Sequence, residues 1–229
     1  MIHFSDSLEK KSLSEIASST EFSSILSKGE NIEDARDYWD RVFEEPTEVS
    51  TITEEELAAE IFDRHPDEFS FDFPFDDEVT KAITRFDADE WSQLTVKERL
   101  ASMERFVEQI GAKLGLESIP DIKLFKDADN VLGAYVRGEN RIEINEVLLN
   151  KPQDLLRTLA HETRHAYQYE HSLAPEIWTD FLYYVNFENY ISPIPLADGK
   201  YLFFTDYQDQ LVEAEARAFA NIFTNKEVA

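Results

Sequence analysis

The chain is 229 residues long, 42% hydrophobic and 13% aromatic, which suits one well-buried domain, with or without an appended segment, and excludes wholesale disorder. It contains no cysteine, so a disulfide framework, a thiolate zinc site and a cysteine nucleophile are excluded, and histidine and carboxylates remain as the ordinary metal ligands. Its net charge of −26 opposes nucleic-acid backbones and anionic membranes and favours basic partners or basic substrate segments.

The charge is uneven: residues 1–91 hold 26 acidic and 8 basic side chains, whereas 92–229 hold 22 and 14. The break predicts an acidic N-terminal segment over 1–90, partly helical and regulatory or partner-binding, followed by a domain over 91–229. The N-terminus MIHFSDSLEKK has no basic region leading into an apolar run, and no stretch approaches the roughly 18 to 20 apolar residues of a membrane helix. A soluble, cytoplasmic protein is the expectation.

In the first segment, Ser-rich SLSEIASSTEFSSILSKGEN and acidic EDARDYWDRVFEEPTE read poorly as a core. Thr53 and Glu56 then form a capping box for a short helix through about Phe62, which His65-Pro66 would end. Beyond it Phe69, Phe71, Phe73 and Phe75 alternate with polar residues or proline, as in an extended strand. Such a strand would either cover an exposed sheet edge near a cleft or serve as an edge strand of the domain itself.

From Trp91 the signals sharpen. Thr95 and Glu98 form a second capping box, and Val96, Leu100, Met103, Phe106, Val107, Ile110 and Leu114 recur at helical spacing until Gly115. A short strand follows over Ile122 to Phe125. Gly133 to Val136 and Arg141 to Ile144 read as a hairpin around Arg137-Gly138-Glu139-Asn140, with Ile142 and Ile144 inward and Arg141, Glu143 and Asn145 outward. Pro152 at the first position and Asp154 in the first turn open a long helix. The aromatic-rich stretch from Ser172 to Tyr207 has no clean period and includes a Pro/Gly-rich loop, Ser192 to Lys200. A last helix spans about Asp209 to Phe223. The fold class predicted is α+β: about three strands packed on the long helix and its neighbours, with an acidic N-terminal helical appendage.

The long helix carries LAHETRHAYQYEH, in which His161, Glu162 and His165 form HExxH. Successive helical residues advance about 100°, so residues four apart lie about 40° apart on one face and their imidazoles can grip one ion. Glu162 stands beside that ion as a carboxylate able to take a proton from water, the arrangement of a zinc hydrolase. Two proposals compete for the third ligand. His171 completes HExxHxxxxxH, but the position where that three-histidine pattern needs a helix-breaking glycine holds Gln168, and neither Met1 nor Met103 lies downstream to supply the methionine turn. Glu213 or Glu215 of the last helix is the alternative. They point about 200° apart, so only one can face the metal, and Glu213 shares its side with the small residues Ala216 and Ala220.

The run Arg141 to Asn145, then Thr158-Leu159-Ala160-His161-Glu162-Thr163-Arg164-His165, then Glu213-Ala214-Glu215-Ala216-Arg217-Ala218-Phe219-Ala220 resembles the minimal gluzincin-like peptidases of the ImmA/IrrE type. The resemblance covers about Thr95 to Phe223. It implies a short sheet against the HExxH helix, one Zn2+ held by His161, His165 and Glu213, Glu162 as general base, and hydrolysis of a peptide bond in a specific protein substrate. On that reading 91–229 is a zincin-like metallopeptidase domain. The contrasting expectation is an acidic interaction protein, a polyanion mimic whose HExxH is structural. Tyr169 or Tyr207 could stabilise an oxyanion, although packing against the helix is the commoner role for each. Arg164 and Arg217 read as surface partners of nearby carboxylates, and His3 and His65 have no motif context.

Overall fold

The computed structural model describes residues 53–126, 131–196 and 200–224, so His3 and the Ser-rich and acidic stretches of the N-terminal segment lie outside the described residues. The fold is α+β. Helices α1 (Glu54–Ile61), α2 (Asp77–Thr84), α3 (Ala88–Gln93) and α4 (Val96–Leu114) lead into β1 (Asp121–Phe125), β2 (Gly133–Val136) and β3 (Arg141–Asn145). The long α5 (Pro152–Leu173) follows, then α6 (Trp178–Glu188), the two-residue strands β4 (Ile194–Pro195) and β5 (Tyr201–Leu202), α7 (Phe204–Gln208) and α8 (Leu211–Asn221).

The expected caps form. Thr53 and Glu56 close a capping box on α1, and Thr95 and Glu98 close one on α4, which ends at Gly115 in the left-handed region with φ 82°. A glycine meets no steric penalty there, whereas a residue with a Cβ does. The strand order is β1-β3-β2, with β1 parallel and β2 antiparallel to β3, so β2 is an edge. Ile142 and Ile144 are fully buried. Asn145, expected to point outward, is buried instead: its Nδ2 donates to the Val131 carbonyl at 2.9 Å and its Oδ1 accepts from the Val147 N–H at 3.2 Å, capping the turn that follows.

One core cluster runs from α2 and α4 through the sheet to the first half of α5 and the end of α8. Phe86 stacks on Trp91 at 4.9 Å and meets Phe106 edge-on at 5.6 Å, and Trp91 Nε1 donates to the Leu149 carbonyl at 2.8 Å. Val79, Ala82 and Phe86 thus sit in the same core as residues beyond 91. The phenylalanine-rich segment is not a strand and does not lie on the sheet edge. Phe71 and Phe73 pack edge-on against Phe219, and Phe223 meets Phe73 edge-on and Phe75 at a tilt, because these three partly buried rings gain more from the apolar surface beside α8 than from a pleated edge.

A second cluster joins Leu57 and Ile61 of α1 to α6 and to Leu211 and Val212. The sequence shows no period for α6, and the reason is its burial. Leu182, Tyr183, Tyr184, Val185 and Asn186 are consecutive and all buried, so no polar stripe marks a solvent face. Asp180 Oδ2 accepts from the Glu176 and Ile177 N–H groups at 3.0 and 3.3 Å and opens this helix. Among the described residues no helix is long and apolar enough to cross a membrane.

Candidate metal centre

Helices α5 and α8 pack along one another, an approach allowed by the fully buried Ala160, Ala216 and Ala220. The contact sets Glu213 against His161 and His165. His161 Nε2 lies 3.3 Å from Glu213 Oε2, His165 Nε2 lies 3.2 Å from Glu213 Oε1, and the two imidazole nitrogens are 3.0 Å apart. A tetrahedral zinc site with ligand bonds of about 2.0–2.1 Å places its ligand atoms about 3.3 Å from one another. The donor set and its spacing therefore fit a metal ion, and this group of three is one that could hold it.

No protein-family model, curated protein or solved structure matches this chain. What the cluster can do therefore rests on its geometry and electrostatics.

Two nitrogen lone pairs at 3.0 Å repel unless a proton or a cation lies between them. Burial opposes a charge on His165, but the Glu213 carboxylate outweighs it and pushes the imidazolium up to about 9. Burial likewise opposes the charge on Glu213, and His165 and His161 nevertheless hold its carboxyl well below the usual range. Tyr190 donates its phenol proton to Glu213 Oε1 at 2.5 Å. Burial and the same carboxylate push the Tyr190 and Tyr207 phenols up, so both remain protonated donors.

The other ring nitrogen of His165 is held as well. Nδ1 lies 2.9 Å from Gln168 Oε1, and since a carboxamide oxygen only accepts, Nδ1 carries the proton and Nε2 faces the cluster. Gln168 Nε2 in turn donates to the Val212 carbonyl at 3.1 Å and to Glu215 Oε2 at 2.7 Å. Glu215 Oε1 accepts from Arg164 Nη2 at 2.6 Å and from the Tyr183 phenol at 2.8 Å. Gln168, the residue that argues against a helix break, thus orients one imidazole of the cluster.

Glu162 is 6% exposed and is not one of the three clustered side chains. Burial pushes its carboxyl up, the two histidines pull it down, Glu213 raises it again, and the Tyr135 backbone N–H on β2 stabilises the charged form. The edge strand comes this close to α5 because of Gly133: a Cβ there would lie 2.6 Å from Thr158 Cγ2. Glycine at 133 is what lets the sheet edge approach Glu162.

The remaining candidates separate clearly. His171 points away from the cluster, with Nδ1 3.2 Å from Asp180 Oδ1 and its ring 4.1 Å from that of Tyr167. Tyr169 packs edge-on to Phe187 at 6.0 Å. Arg164 is not a surface residue: it is buried against Glu215, because a guanidinium with a carboxylate partner and flat rings around it tolerates burial. Arg217 is half-buried and donates to the Gln208 carbonyl rather than pairing with a surface carboxylate. Tyr190 was not foreseen, since it lies in the stretch without periodicity and no local motif marks it.

Proposed function

We propose that the chain is a zinc-dependent peptidase, similar in its site to minimal gluzincins of the ImmA/IrrE type, that cleaves a peptide bond in a protein substrate. The observation that carries this reading is the convergence of His161, His165 and Glu213 within hydrogen-bond range of one another while Glu162, one residue from His161, is buried beside them without joining the cluster. A cage built only to bind a cation has no need of a second carboxyl kept apart, whereas hydrolysis needs a base next to the ion.

Zinc held there would supply a Lewis acid that polarises the scissile carbonyl and acidifies water. Glu162 accepts the proton of the attacking water and passes it to the departing amine, a task suited to a carboxyl raised by burial. His165 is kept in the productive tautomer by Gln168. Tyr190 and Tyr207, protonated phenols beside Glu213, hold that ligand in place. The test is paired: after zinc reconstitution the full chain should hold about one zinc, as a single three-ligand site requires, and His161→Ala should hold almost none. Glu162→Gln should keep its zinc and lose cleavage of a peptide pool by about a hundredfold or more. Zinc content unchanged in His161→Ala, or cleavage unchanged in Glu162→Gln, would sink the reading.

A further inference from the structure

Arg137 follows the last residue of the edge strand β2 and is exposed. Its guanidinium lies over three aromatic rings, 4.9 Å from the centroid of Phe187, 5.8 Å from that of Tyr169 and 6.0 Å from that of Tyr190. Two of these rings lead to the cluster. Tyr190 donates to Glu213 Oε1, and Tyr169 stands next after His161 and His165 in the same stripe of α5, each four residues from the last. One tyrosine side chain therefore separates this cation from the ligand set.

The chain has carboxylates in surplus, 48 acidic side chains against 22 basic. Arg64, Arg85, Arg105 and Arg141 each pair with one or more of them. Arg137 forms no ion pair with any described carboxylate, and Glu139, its near neighbour, turns to Arg141. Ring contacts occupy the faces of a guanidinium and leave its N–H edges free to bind a carboxylate in bidentate fashion. A side chain already held by three rings also loses little freedom when it does so.

From this placement we propose that Arg137 forms a carboxylate-binding subsite beside the metal cluster, which selects peptides carrying an acidic group close to the bond cut. The assignment rests on the peptidase reading above. An extended peptide spans at most about 3.3–3.6 Å per residue, so a carboxylate two or three residues from the bond held at the cluster reaches the guanidinium. The group can be an Asp or Glu side chain or the chain terminus. The overall negative charge does not forbid this, because charges beyond about 8 Å are screened at physiological ionic strength and direct contact decides.

The probe is a pool of random peptides, half with free and half with amidated C-termini, offered to the full-length, zinc-loaded Glu162→Gln chain, which lacks the base but keeps the ligands. Captured peptides should be enriched about tenfold in carboxylates over neutral matches, the scale of one charge-assisted bidentate contact. Enrichment confined to free termini identifies the terminus as the group recognised, and enrichment that survives amidation identifies a side chain. Adding Arg137→Gln should abolish the enrichment, and Arg137→Lys, which keeps the charge but not the fork, should restore part of it. Thermal melts of the variants check that each is folded. No enrichment, or enrichment unchanged in a folded Arg137→Gln chain, would overturn the subsite. Failure of the peptidase reading looks different: the zinc-loaded native chain would leave the same pool uncut while Arg137-dependent capture persisted.

Discussion

Glu213 and Glu215 lie two residues apart on α8, both buried, and face opposite kinds of partner. On the Glu215 side stands a permanent cation, Arg164, with the rings of Tyr167, Phe71 and Phe219 at 4.2, 5.1 and 5.4 Å from its guanidinium carbon. On the Glu213 side stand two imidazoles and a phenol, none of them a permanent cation. A carboxylate matched by a guanidinium is electrostatically saturated and serves the fold. One matched by imidazoles leaves a position that a proton or a metal ion can take. The same residue type on one helix is thus structural on one face and exchangeable on the other.

The severest disturbance is a chain that begins at residue 91. It keeps His161, Glu162, His165 and Glu213 but loses Phe71 from beside Arg164, together with Val79, Ala82 and Phe86 from the main core. Deleting one buried phenylalanine side chain costs about 3–5 kcal/mol, and a whole domain is stable by only about 5–15 kcal/mol. Such a chain is expected to show no cooperative thermal transition by circular dichroism, and a sharp one would place the Arg164 side outside the essential core. Next in size is Glu215→Ala, which leaves a buried guanidinium with the Tyr183 phenol as its one remaining hydrogen-bond acceptor among the described residues and should lower stability by about 3–5 kcal/mol in urea unfolding. Glu213→Ala in the metal-free chain should cost less, since His165 can shed its proton, yet it should abolish stoichiometric zinc binding. The reverse order of stability losses would break the contrast between the two faces.

How far this contrast could be read in advance depended on periodicity. Helix α4 has a capping box and α5 a polar face, and HExxH at four-residue spacing places two histidines together on any helix, so the α5 half of the site was legible. The angular argument that only one of Glu213 and Glu215 can face the histidines needed no more than helical geometry. Arg164 was misread because a charged side chain on a helix is ordinarily solvated, and nothing local announces that Phe71 and Phe219, distant in sequence, will flank it. Tyr190 and helix α6 were opaque for a related reason: a helix buried on several faces has no stripe to detect.

A smaller effect sharpens the link between the two faces. Gln168 touches both, accepting from His165 and donating to Glu215. Gln168→Ala frees the His165 ring and removes one donor from Glu215, while the Arg164 pair remains. Loss of such an outer partner typically weakens metal binding 10–100-fold. Zinc competition with a chromophoric chelator should show a drop of about that size, with urea stability falling by about 1–3 kcal/mol, the cost of leaving buried polar groups unpaired. Unchanged affinity would mean that packing alone orients the imidazole.

The smallest effect concerns protons, and its sign differs between the metal-free and metal-loaded chains. In the metal-free protein Glu213 raises His165 to about 9, against about 6.5 in an unfolded chain. A raised pKa gives stability that is fully present below about 6.5 and is lost as pH rises through about 9. Glu213, held well below its usual range, gives stability present above the unfolded carboxyl range and lost only in stronger acid, so it does not change between 6.5 and 9. Metal binding requires neutral imidazoles, so the loaded chain has no such proton to lose over that interval and binds zinc more tightly as pH rises. The increase in melting temperature on adding zinc should therefore grow from pH 6.5 to pH 9. Melting curves with and without zinc at the two pH values measure it directly. An increase that stayed flat or shrank would mean that no proton bridges His165 and Glu213 in the metal-free protein, and the Glu213 face would then be as fixed as that of Glu215.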